Sequence, residues 1–214
     1  MTIRHHLSDQ LLMAYAAGEL PEAFNLVVAT HVSLCDECRA KLASFEAVGG
    51  AMIEMSDTVQ MSDASLAACL DRIDGLSQAN ARRPLKRAGV FPAPLADYVG
   101  GGPERVKWRP VGMGVKQAML QTERGASARL LYIPGGQAVP DHGHRGMELT
   151  LVLQGAFRDE NDRFGRGDVE IADSTLQHTP IAEDGEVCIC LAATDAPLRF
   201  NAIIPRLAQP FLGI

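Results

Sequence analysis

The sequence is poor in aromatic residues, with seven Phe, three Tyr and one Trp among 214 residues. So few rings leave little surface on which nucleic-acid bases could stack. It also lacks a positive excess: the formal net charge is −6, which opposes general binding to phosphate backbones. No run approaches the roughly 20 consecutive apolar residues that span a bilayer. The N-terminal Met1-Thr-Ile-Arg-His-His6 has no apolar core of a secretory leader, so the expectation is a cytoplasmic protein with neither a membrane nor a direct nucleic-acid partner. Five cysteines in such a chain do not form a disulfide framework, because cytoplasmic thiols are kept reduced.

What charge there is divides unevenly. Residues 1–85 carry 6 Lys/Arg against 11 Asp/Glu, and residues 86–214 carry 14 against 15. The first 77 residues show helical periodicity. A helix capped near Ser8 or Asp9 would bury Leu11, Leu12, Tyr15 and Ala16 and stop at Gly18. A second from Pro21 places Phe24, Val27, Val28, His31 and Val32 on one stripe. A third from Asp36 aligns Leu42, Phe45, Gly49, Met52 and Ile53, and a fourth from Ser62 aligns Leu66, Cys69, Leu70, Ile73 and Leu76. Periodicity then vanishes through a stretch containing Pro84, Pro92 and Pro94 with four basic residues, which reads as a solvated linker over 78–97. Beyond it come short apolar or alternating runs at Val106–Val111, Val115–Gln121, Ala128–Ile133, Glu148–Leu153, Ala156–Glu160, Asp168–Ile171, Val187–Ala192 and Phe200–Ile204. Strands at this spacing predict a β-sandwich or small barrel.

Two constellations carry chemistry. In the helical part, His31-x3-Cys35-x2-Cys38 sets an imidazole and two thiols across a helix end and the start of the next helix. Tetrahedral zinc takes four such ligands, and His6, closer than His5 to the first helix, supplies the fourth. Cys35 and Cys38 near a helix N-terminus are expected to have lowered thiol pKa values. A redox C-x-x-C is the competing reading, although that motif normally follows a strand and nothing before Cys35 reads as one. The run His6, then His31-Val-Ser-Leu-Cys35-Asp-Glu-Cys38, resembles the H-x(n)-H-x3-C-x2-C pattern of the zinc-binding anti-sigma family, and the flanking text is most similar to its ChrR-type subgroup. That resemblance implies a four-helix domain that holds a group IV (extracytoplasmic function) sigma factor inactive, one to one, away from RNA polymerase. An acidic helical module suits a basic partner.

The second constellation, Gly136-x5-His142-x-His144-x3-Glu148-x6-Gly155, resembles the first motif of the cupin superfamily. His142 and His144, two apart on a strand, share a face; His178 is placed to complete the set, as in the second cupin motif, with a longer gap than usual. Three imidazoles and a carboxylate suit zinc, and equally Fe(II), Mn(II) or Ni(II). Together the resemblances imply an α+β chain: an N-terminal all-α zinc domain over 1–77, a linker, and a C-terminal all-β cupin barrel over 98–214, with one zinc in each. They further imply a regulator, not an enzyme, whose cupin domain licenses release of the sigma factor under singlet oxygen or related photooxidative stress. A cupin metalloenzyme, a dioxygenase or isomerase with a helical regulator, is the alternative. Cys69, Cys188 and Cys190 read as buried packing residues.

Overall fold

A computed structural model describes residues 2–77, 89–140, 142–143, 145–197 and 199–200. Five helices come first or lie close to the junction: α1 (Asp9–Ala16), α2 (Glu22–Val32), α3 (Asp36–Glu54), α4 (Ser65–Ser77) and α5 (Ala93–Val99). The Ser8 hydroxyl accepts from the Leu11 N–H and caps α1, satisfying a donor that the first turn would otherwise leave open. The adjacent glycines Gly49 and Gly50 do not interrupt α3, which runs for 19 residues.

The strands are β1 (Arg109–Gly112), β2 (Val115–Leu120), β3 (Ser127–Ile133), β4 (His142–Gly143), β5 (Glu148–Gln154), β6 (Ala156–Arg158), β7 (Arg163–Gly165), β8 (Val169–Ala172), β9 (Gln177–His178), β10 (Ile181–Ala182), β11 (Cys188–Thr194) and β12 (Arg199–Phe200). They form a six-stranded antiparallel sheet in the order β1-β2-β3-β11-β5-β8 and two three-stranded sheets, β10-β6-β7 and β12-β4-β9. The longer strands follow the apolar runs of the sequence. The two- and three-residue strands β4, β7, β9 and β10 do not, because so short an element carries no period. Residues 201–204, where the last expected strand continues, lie outside the described residues.

The large sheet is covered on both faces. Along β5, Leu149, Leu151 and Leu153 belong to one apolar cluster together with Val27 and Val28 of α2, while Val152 joins Cys188, Cys190, Phe157 and Phe164 in a second cluster inside the barrel. Strand alternation produces this division. Gly155 closes the β5–β6 turn at φ +67°, where an added Cβ would meet the Val187 carbonyl at 2.6 Å. The last glycine of the cupin-like motif is therefore a packing requirement as well as a turn residue.

Two features depart from the sequence-based reading. First, α2 is not a one-sided helix: Ala23, Leu26 and Thr30 are buried along with Phe24, Val27, Val28 and His31. It lies between α1, α3 and α5 on one side and β5 and β11 on the other, so helices and barrel share one core. Second, within the expected linker, α5 packs on α2, with Phe91 and Leu95 buried. Two of the prolines that suggested a linker, Pro92 and Pro94, sit at the helix start, with Pro92 as its N-cap, where a missing N–H costs nothing; Pro84 lies outside the described residues. Glu22 ties these parts together, accepting from the Tyr98 hydroxyl at 3.1 Å and the Glu123 N–H at 2.6 Å.

By contrast, the apolar faces expected to bury the second half of α3 and α4 lie open: Met52, Ile53, Leu70 and Ile73 are each more than half exposed. Cys69 is exposed too.

Candidate metal centres

A tight turn between α2 and α3 brings three of the four N-terminal candidates together within eight residues. The Leu34 and Cys35 N–H groups both donate to the His31 carbonyl, at 2.8 and 2.9 Å. Cys35 then becomes the N-cap of α3, its sulfur accepting from the Cys38 N–H at 3.4 Å. His6 arrives from the segment before α1, its Nδ1 3.3 Å from the Cys35 sulfur and 3.7 Å from that of Cys38. One donor atom from each of His6, His31, Cys35 and Cys38 lies within 4.8 Å of the others. His5 points elsewhere, its Nε2 2.9 Å from Asp162 Oδ2.

His31 is fully buried. Its Nδ1 lies 2.9 Å from the Gly167 carbonyl, and its Nε2 is buried with no partner. A carbonyl only accepts, so Nδ1 carries the proton and Nε2 presents a lone pair. Burial pushes the His31 pKa down to about 4, against the raising effect of the Gly167 bond, and the ring stays neutral and able to ligate. Cys38 goes the opposite way from the expected lowering. Burial pushes its thiol up to about 11, a backbone bond involving Leu7 works to lower it, and Cys35 raises it further. Desolvation of the thiolate outweighs the helix N-terminus here. An orphaned imidazole nitrogen facing two thiols and a second histidine is a donor set that fits zinc. Around it, His6 Nε2 stands 3.4 Å from Glu37 Oε2, and Lys41 reaches both Glu37 and Asp9.

In the barrel, His144 lies outside the described residues, and of His142 only the backbone is described. The β4–β9 register sets His142 opposite His178. His178 is buried, with Nδ1 2.9 Å from Glu170 Oε1 and 3.3 Å from Asp159 Oδ2, and these three residues form the second group that could hold a cation. Burial works to lower the His178 pKa, but the Glu170 and Asp159 carboxylates raise it on balance. Burial raises that of Glu170. Burial also acts to raise that of Asp159, yet N–H donors from Asp162 and Asn161, with His178, hold it below its ordinary range. Glu148 is buried and engaged by Arg129 Nη2 at 3.0 Å and by the Thr150 hydroxyl at 3.2 Å.

Asp159 and Glu170 do not stand out in the sequence. In β8 the rule that apolar residues point inward would bury Ile171, yet Glu170 is buried and Ile171 is 39% exposed. In the fold the β5–β8 register pairs Glu170 with Thr150, two residues from Glu148, a pairing that no local spacing in the sequence shows. Cys188 and Cys190 are buried in the barrel, their sulfurs 3.5 Å apart.

Residues 99–196 match the family model described as the ChrR cupin-like domain. The chain is 65% identical, over the full length of both, to the anti-sigma-E factor ChrR of Cereibacter sphaeroides. It is also similar to a crystal structure of Rhodobacter sphaeroides SigE in complex with the anti-sigma ChrR. That similarity has a TM-score of 0.78 and 62% identity, and covers 91% of this chain and 100% of the other. An RmlC-like cupin protein of Ralstonia eutropha aligns at TM-score 0.42 and 22% identity, over 48% of this chain and 71% of that one.

Proposed function

Since the chain belongs to the ChrR family of anti-sigma factors, we propose that it binds a group IV (extracytoplasmic function) sigma factor one to one and withholds it from RNA polymerase. The observation that carries this reading is the open apolar surface of α3 and α4. Met52, Ile53, Leu70 and Ile73, with Val48 and Leu66, stand exposed along the second half of α3 and on α4. A surface of this kind marks a protein partner, and the relative of known structure is captured in complex with SigE. Among the described residues no helix is long and apolar enough to cross a membrane, which is consistent with action in the cytoplasm.

His6, His31, Cys35 and Cys38 would hold zinc in the N-terminal domain, over 1–77. With a metal ion bound, these four side chains would tie the start of the chain to the α2–α3 turn and so hold the direction in which α3 leaves. His142, His144, Glu148 and His178 would hold a second divalent ion, zinc or else Fe, Mn or Ni, in the cupin domain over 98–214. Glu170 and Asp159 would then orient His178. In this reading the barrel licenses release of the sigma factor under singlet oxygen, while the N-terminal centre maintains the inhibitory shape.

The test separates the two. With an affinity-tagged sigma factor, Cys35→Ala or Cys38→Ala is expected to abolish co-purification. Glu148→Ala or His178→Ala is expected to leave it intact but to blunt dissociation when a photosensitiser is illuminated. Cupin variants that lose the partner while the cysteine variants keep it would reverse the assignment.

A further inference from the structure

The N-terminal cluster is not supported by helices alone. Asp168, in the turn between β7 and β8, is 4% exposed. One of its oxygens accepts the backbone N–H groups of Arg4, at 2.6 Å, and His5, at 3.0 Å; the other accepts that of Gly165 at 2.8 Å. The neighbouring Val169 N–H donates to the His5 carbonyl at 3.2 Å. The segment leading into His6 is thus bonded to the barrel at three consecutive contacts. On the other side of the same turn, the Gly167 carbonyl accepts from the His31 Nδ1–H. Gly167 has φ +91°, and a Cβ there would fall 2.7 Å from the Ile3 side chain, so Ile3 lies directly on the turn.

We infer that the cupin turn Gly165–Asp168 is the outer support of the N-terminal metal centre: its Gly167 carbonyl orients His31, and its Asp168 carboxylate holds the strap that carries His6. This rests on the reading that His6, His31, Cys35 and Cys38 hold a metal ion. Both histidines of a centre in the helical part are then positioned by one turn of the barrel, whereas Cys35 and Cys38 are positioned by α3. β8 leaves this turn directly, and its second residue, Glu170, faces His178 2.9 Å away. Four residues, 167–170, therefore touch both clusters, so a change around His178 has a short covalent route to the strap. Outer partners of this kind typically alter metal affinity by 10- to 100-fold.

The experiment is a cobalt(II) titration of the full-length, metal-stripped protein with Cys69, Cys188 and Cys190 replaced by alanine. The thiolate-to-cobalt charge-transfer absorption then reports Cys35 and Cys38 alone. Asp168→Ala is expected to raise the half-saturating cobalt concentration about tenfold. Asp168→Asn, which keeps one acceptor oxygen, is expected to fall between it and the parent, and it carries the test if Asp168→Ala fails to show native far-ultraviolet circular dichroism. Asp195→Ala is the matched control, because Asp195 also accepts a backbone N–H, from Met147 at 2.9 Å, but at a turn remote from the strap. It is expected to titrate like the parent. Asp168 variants that bind cobalt as tightly as the parent, or an Asp195 variant that loses as much as they do, would overturn the inference while leaving the metal centre in place. A parent protein with no thiolate band would overturn the metal centre itself.

Discussion

His31 shows how much burial and one carbonyl decide at a single residue. An unfolded chain protonates this ring near pH 6.5, but the folded chain resists until about 4. Below pH 6.5 the unfolded state binds the extra proton, so stability falls as pH drops. Above pH 6.5 the effect is absent. Metal-free protein is expected to lose about 2 kcal/mol by pH 5 and about 3 kcal/mol by pH 4 from this group. Urea midpoints of chelator-treated protein at pH 7.5 and 5 would show it, and His31→Gln should flatten that dependence; an equally steep loss in the variant would exclude His31 as its source. The cysteines divide by exposure in the same way. Cys188 and Cys190 are buried and Cys69 is open, so native zinc-loaded protein should offer one thiol per chain to Ellman's reagent, and five once unfolded with chelator. More than one fast thiol would contradict the burial of the barrel pair.

At the scale of elements, periodicity located α1 to α4 but not what each one faces. The stripe on the second half of α3 and on α4 has the spacing of a core face, and the folded chain leaves Met52, Ile53, Leu66, Leu70 and Ile73 open. Replacing Ile53 or Leu70 by Glu should therefore leave the melting temperature within a degree or two, since exposed sites change stability by only about 0.5 kcal/mol, yet weaken sigma-factor binding at least tenfold. A large drop in melting temperature would mean that the stripe is packed in solution. The opposite holds for α5, which prolines had marked as linker. Leu95 is fully buried there, so Leu95→Ala should cost about 2–5 kcal/mol in urea unfolding. A cost under 1 kcal/mol would show α5 to be peripheral. The polar strand residue Glu170 went unnoticed for a related reason: alternation reveals two faces but not which face is polar, and a barrel that buries Glu148, Glu170 and His178 inverts the usual assignment.

For the whole molecule, the consequence is one continuous core shared by the helical part and the barrel. Val27 and Val28 of α2 are fully buried in the same cluster as Leu149, Leu151 and Leu191, and the strap before α1 is bonded to β8. Covering each such side chain stabilises the assembly by about 1.5–3 kcal/mol. Residues 1–77 and 89–214 produced as separate chains should therefore co-purify and elute together on gel filtration; separate peaks would show the shared core to be dispensable. Much of the protein was legible before its fold. The paucity of aromatic residues, the lack of a positive excess, the spacing of His31, Cys35 and Cys38, and the run from Gly136 to Gly155 are local properties, and they pointed to the α+β class and to a set of candidate metal-ligating residues. Tertiary structure alone decided which further side chains meet: that Glu170 and Asp159 surround His178, and that one barrel turn supports the helical centre. The bonds of that turn to Arg4, His5 and His31 join residues more than a hundred positions apart, and all of these contacts follow from the burial of two faces of one sheet, which no local spacing encodes.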